Sequence, residues 1–82
     1  MINILEQASD VITGPRQEAY GPPNSNFERI ADMWSTYTGT RITPHDVAMM
    51  MILLKVARVQ TTATEDTLVD ICGYAALASV LD

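Results

Sequence analysis

The sequence contains one cysteine and one histidine, and this scarcity limits its chemistry. A single cysteine, Cys72, excludes a disulfide within the 82-residue chain, and the usual zinc-binding spacings are absent. Cys72 stands between Ile71 and Gly73, so we expect a small buried side chain. His45 follows Pro44 and is interpreted as part of a helix start. The sequence also lacks a nucleophile paired with a base and a glycine-rich phosphate loop.

Basic residues are also few. Lys and Arg number five, against ten Asp and Glu, which gives a formal net charge of -5. Non-specific binding to nucleic acid needs a basic face, so this charge balance argues against it. The same balance allows a small phosphorylated ligand held by one or two local cations.

Long hydrophobic runs are missing as well. The longest apolar run, Val47 to Leu54, is far too short to cross a bilayer, so we predict no membrane association. The first residues lack a basic region followed by an apolar stretch, so a signal peptide is not expected. These features predict a cytoplasmic protein.

Helical spacing of apolar residues is present in four segments, and no strand pattern is found. The sequence therefore predicts one all-α domain of four helices over residues 1–82. The first helix is predicted from residue 2 to about 13, with apolar residues at Leu5, Ala8, Val11 and Ile12.

The second helix is predicted to begin with a capping box formed by Ser25 and Glu28, and to stop at Gly39. Its predicted inner stripe consists of Phe27, Ile30, Ala31, Trp34 and Tyr37.

The third helix, from Pro44 to about Val59, has the clearest start. Thr43 is its predicted N-cap, Pro44 its first residue, and Asp46 an acid in its first turn. The helix is apolar on nearly every side, as expected for a central helix covered by other helices or by another subunit. Because 48% of this small chain is hydrophobic, we expect a homo-oligomer to complete the domain.

The fourth helix is predicted to open at Thr64, with acids at its positive end. Gly73 lies inside this helix, where it suggests close approach of another backbone.

Two acidic pairs and one basic pair are the candidates for chemistry. Glu28 and Asp32 lie one turn apart on the second helix, and Asp66 and Asp70 lie one turn apart on the fourth. If the helices form a bundle, these four carboxylates are candidate Mg²⁺ ligands, with water and phosphate completing the octahedron. Asp70, amid apolar neighbours, is the strongest candidate.

Lys55 and Arg58, on the third helix, are candidates for binding phosphate. They also have a purely structural interpretation, in which they form ion pairs with Asp66 and Asp70 between the third and fourth helices. Both interpretations remain open from the sequence.

The long segment between the first two helices supplies further candidates. Arg16 and Tyr20 are potential ligand contacts there. Alternatively, the segment is an arm that packs Tyr20 on the core and leaves Arg16 in water. Tyr20 and Trp34 are the aromatic side chains that would stack on a base.

Several of these motifs occur together in a known group of proteins. The chain resembles a family of small uncharacterised phage proteins in the elements Arg16-x3-Tyr20-Gly21, Asn26-Phe27-x2-Ile30-Ala31-x2-Trp34, Asp46-Val47-Ala48, Lys55-x2-Arg58 and Asp66-x3-Asp70-x3-Tyr74.

More distantly, the pattern is similar to the MazG-like all-α nucleotide pyrophosphatases. That resemblance implies a homodimer or tetramer that hydrolyses nucleoside triphosphates to monophosphates with Mg²⁺. Asp66 and Asp70 would then serve in catalysis, and Glu28 and Asp32 would join them as metal ligands. The alternatives are a nucleotide-binding protein without catalysis, which sequesters its ligand, and a structural oligomeric module.

Overall fold

The structure is a computed structural model that describes residues 2–13 and 23–82. The described residues form four helices: α1 (Ile2–Thr13), α2 (Pro23–Thr38), α3 (Pro44–Ala57) and α4 (Glu65–Ala78). No strand occurs in these ranges. The predicted all-α class is confirmed, and the four predicted helices are all present in the described ranges. Completion of the domain by oligomerisation stays a prediction.

The start of α3 is a complete capping box. The Thr43 hydroxyl accepts from the Asp46 N–H at 3.1 Å, and the Asp46 carboxylate accepts from the Thr43 N–H at 3.0 Å. This backbone hydrogen bond is the main reason why the pKa of Asp46 lies below its ordinary value of 3.8. The N-cap predicted at Thr43 is confirmed.

The predicted start of α2 was wrong. The helix begins at Pro23, so Ser25 and Glu28 lie inside it and do not form its capping box. Proline has no backbone N–H and a helical φ, which makes it a favourable first helical residue. Glu28 therefore loses the structural role that the sequence had given it.

The helices pack in the order α2, α3, α4 and α1, so that α3 contacts both α2 and α4. Among the described residues, the main core cluster is built largely from small and medium side chains: Phe27, Ala31, Val47, Ala48, Ala78 and Leu81. The ring of Phe27 lies 6.4 Å from that of Tyr74 and joins α2 to α4. α3 is therefore central, as predicted, but the other described helices cover only one side of it.

Four details of the predicted packing need correction. Tyr37 is 92% exposed, because it lies in the last turn of α2 at the edge of the inner stripe. Leu5 of α1 is also exposed, while Ala8 is buried. At Gly73, a Cβ atom would meet only the Ile12 Cγ2 atom at 3.5 Å, so no described backbone approaches closely there. A fourth detail is minor: Cys72 is half-buried.

The described helices include none that is both long enough and apolar enough to span a membrane.

Candidate functional site

The two acids of the α4 pair, Asp66 and Asp70, have different surroundings. The Lys55 Nζ atom lies 2.9 Å from an Asp70 carboxylate oxygen, and the two side chains are only 20% and 31% exposed. Packing of α3 against α4 places these residues face to face. Asp70 therefore already has a cationic partner, as the structural interpretation of this pair predicted.

Asp66 and Arg58 are not part of this ion pair. Asp66 is exposed in the first turn of α4, where its charge favours the helix N-terminus. Arg58 is the exposed C-cap residue of α3. Within the described residues, Lys55–Asp70 is the one salt bridge, so the predicted pairing of Arg58 with an acid of α4 is not seen.

The acidic pair of α2 has a different environment. Glu28 and Asp32 are exposed and line an open groove of about 500 Å³ between α2 and the start of α3. Arg41 lies in the wall of the same groove. The full lining is Glu28, Ala31, Asp32, Ser35, Arg41, Ile42, Thr43, Pro44 and Asp82.

A pair of hydrogen bonds fixes the loop that carries Arg41. The Ser35 hydroxyl accepts from the Ile42 N–H at 2.7 Å and donates to the Ile42 carbonyl at 3.1 Å. Gly39 makes the turn after α2 with a φ of 71°, a conformation that glycine adopts without strain. Together these features hold the loop against α2, with Arg41 in the wall of the groove that Glu28 and Asp32 also line.

The groove combines charges of both signs. A guanidinium group binds phosphate through a planar fork of donors, while carboxylates hold Mg²⁺ or amines. No described group of three or more His, Cys, Asp or Glu side chains is arranged to hold a metal ion. The four predicted metal ligands are thus not brought together by the described parts of one chain. Magnesium binding remains a prediction, in which phosphate and water oxygens complete the coordination.

The other predicted ligand contacts are Trp34, Arg16 and Tyr20. Trp34 packs, partly buried, against the core cluster. Arg16 and Tyr20 lie outside the described residues. His45 uses Nδ1 to donate to the Ala78 carbonyl at 3.0 Å, so it links α3 to the end of α4.

The residue that the sequence analysis missed is Arg41. It lies in a short polar loop and has no helical spacing to the acids of α2. The available signal was the loop itself, since Gly39 and the Thr43 N-cap lie only four residues apart and must bring Arg41 back towards α2.

The chain is thus small, acidic and all-α, and its described residues include an inter-helix ion pair and a mixed-charge groove. The chain belongs to the family described as Domain of unknown function (DUF6378), whose model matches residues 3–82. The resemblance to a family of small phage proteins is confirmed by relatives encoded by phages.

Two of these relatives are called Gene 55 protein. The one from Mycobacterium phage L5 is 49% identical over 76 residues, covering 90% of this chain and 49% of the relative. The one from Mycobacterium phage D29 is 45% identical over 74 residues, covering 89% of this chain and 49% of the relative. The chain thus spans about half the length of these relatives. No solved structure matches the sequence.

Proposed function

We propose that this protein binds a nucleotide or a similar small phosphorylated ligand in the groove between α2 and α3. The observation that supports the proposal is that Arg41, Glu28 and Asp32 line one groove. The two carboxylates form no ion pair among the described residues, so their charges are available to a ligand.

Two carboxylates in a groove that binds phosphate require an explanation, because carboxylates and phosphates repel each other. A magnesium ion supplies one, since proteins often hold it by one or two carboxylates together with substrate phosphates. In this proposal Glu28 and Asp32 hold the cation and Arg41 holds the phosphate chain.

The MazG-like resemblance extends the proposal to Mg²⁺-dependent hydrolysis of a nucleoside triphosphate to the monophosphate. The ion, when bound, would polarise phosphorus for attack by water. The acids of the groove would orient the ligand, and Arg41 would offset phosphate charge. For Asp70 to take its predicted catalytic role, its ion pair with Lys55 must open.

Binding without hydrolysis is the second candidate, and the Lys55–Asp70 ion pair favours it. The pair occupies the acid that the resemblance places in catalysis. A protein with this arrangement would sequester a nucleotide rather than turn it over. If neither binding nor turnover occurs, the remaining role is that of a structural interaction module.

Calorimetric titration tests the binding step. We expect saturable binding of a nucleoside triphosphate that is strengthened by Mg²⁺ and weakened at least about tenfold in Arg41→Ala, which corresponds to roughly 1.4 kcal/mol. Arg29→Ala is the matched control, because Arg29 is an exposed arginine of α2 outside the groove lining. Absence of binding across mono-, di-, tri- and cyclic nucleotides would refute the proposal.

Pyrophosphate release separates the two candidates. A hydrolase releases pyrophosphate only with Mg²⁺ or Mn²⁺ and loses this activity in Asp32→Asn, Glu28→Gln and Asp70→Asn. A binding protein keeps its ligand intact in the same assay. Equal activity of Asp32→Asn and the unaltered protein would exclude the groove as the catalytic site.

A further inference from the structure

The solvent-facing side of α3 is apolar from Met49 to Ala57. Every exposed residue of this helix after the first turn is hydrophobic, and we name these residues the α3 face: Met49, Met50, Leu53, Leu54, Val56 and Ala57. The one charged side chain in this stretch, Lys55, points to α4 and is paired with Asp70. The face therefore contains no charge that a partner would have to desolvate.

The residues of the α3 face repeat with helical spacing, as in a helix that packs against neighbours on two sides. Met49, Leu53 and Val56 follow the i, i+4, i+7 spacing, and a neighbouring row contains Met50 and Leu54. Core contacts of the described chain cover only the opposite side, through Val47 and Ala48. Contiguous apolar surface of this kind marks an interaction site.

We propose that two copies of this chain associate through the α3 face, with the two α3 helices antiparallel around a two-fold axis. A two-fold interface brings one patch against itself, so a chain of net charge -5 needs a patch without uncompensated negative charge. The α3 face meets that requirement.

Charges at the two ends of the face favour the antiparallel orientation. Exposed Asp46 and exposed Arg58 lie six residues on either side of Ile52, or about 9 Å along the axis. The midpoint between Met49 and Val56 also lies within one residue of Ile52. An antiparallel pair crossing there places Asp46 of one copy beside Arg58 of the other, and Met49 beside Val56. A parallel pair would instead place like charges together.

Sedimentation analysis of the chain over a wide concentration range tests the association. We expect a dimer that Leu53→Glu converts to a monomer, because Leu53 is 65% exposed at the centre of the face. Val80→Glu is the matched control, since Val80 is 70% exposed and follows the C-cap of α4. It should leave the dimer intact. A strictly monomeric chain, or a dimer insensitive to Leu53→Glu, would overturn the proposal.

Disulfide trapping tests the orientation in a Cys72→Ser background, without relying on a disruptive charge. Chains carrying Met49→Cys and chains carrying Val56→Cys should form a cross-linked dimer when mixed and oxidised. Neither should cross-link with itself, because identical positions lie beyond disulfide reach in an antiparallel pair. Efficient cross-linking of Met49→Cys with itself would overturn the antiparallel arrangement.

Discussion

The two acidic pairs of this protein have the same spacing and opposite surroundings. Glu28 and Asp32 on α2, like Asp66 and Asp70 on α4, are separated by one helical turn. In the second pair, packing of α3 against α4 brings Lys55 to Asp70. In the first pair, both acids line an open groove with Arg41. Spacing places charges on a common face, whereas the neighbouring element decides whether they are neutralised or available.

Ser35→Ala should give the largest effect on this comparison, because it detaches the loop that carries Arg41. The substitution removes both hydrogen bonds to Ile42 and leaves a part-buried N–H without its partner, at a cost of about 1–3 kcal/mol. Nucleotide affinity should fall together with stability. Urea unfolding and calorimetry measure the two effects.

Thr36→Ala is the control for this experiment. Its hydroxyl donates only to the Asp32 carbonyl within α2, on an exposed surface. We expect a change below about 0.5 kcal/mol. Equal destabilisation by the two variants would show that the Ser35 bonds do not hold the loop.

Asp70→Asn should lower the free energy of unfolding by about 1 kcal/mol, while Asp32→Asn should leave it nearly unchanged. The reason is that Asp70 has a half-buried cationic partner and Asp32 has no ion-pair partner among the described residues. A double-mutant cycle with Lys55→Met isolates the coupling. A coupling energy of zero would show that the ion pair does not stabilise the fold, so that Asp70 is energetically like the unpaired acids of the groove.

Gly73→Ala should stabilise the protein by up to about 1 kcal/mol, the helix propensity difference between the two residues. The added methyl group makes ordinary contact with Ile12, so the gain in propensity is not offset by a clash. The result would support the packing of α4, in which Gly73 lies next to α1 and Asp70 lies next to α3. Thermal unfolding measures the change, and a lower melting temperature would indicate a close approach that this packing lacks.

Lowering the pH should give the smallest effect, through Asp46. Its pKa is lowered in the folded state, chiefly by the hydrogen bond from the Thr43 N–H. The ionised carboxylate therefore adds stability above the unfolded pKa, and this contribution disappears as pH falls through the lower folded value. The stability difference between the unaltered protein and Asp46→Asn should shrink below pH 3.8. A difference that is constant with pH would contradict this assignment.

The sequence predicted features that depend on local chemistry. Thr43, Pro44 and Asp46 specify a helix start whose partners lie within four residues, and the structure contains that start. The start of α2 was misplaced because Pro23 and Ser25 are both suitable first-turn residues, and only the tertiary structure decides between them.

The site depended on contacts that local patterns do not encode. Spacing indicates that Asp70 and Gly73 share one side of α4, but not which neighbouring helix each of them meets. Arg41 reaches the groove through the Ser35–Ile42 bonds between a helix and a loop. Such contacts follow from the path of the whole chain, so the groove became visible only in the structure.

The hydrogen bond from His45 to Ala78 has a consequence for local unfolding. It joins the beginning of α3 to the end of α4, while Lys55 and Asp70 join the two helices nearer their connection. Contacts between α3 and α4 therefore hold the helical hairpin that they form together at both of its ends. Such a unit opens cooperatively, so its amides should exchange with solvent most slowly, while α1 and α2 open through smaller fluctuations. The hairpin is also local in sequence, which favours its formation early in folding.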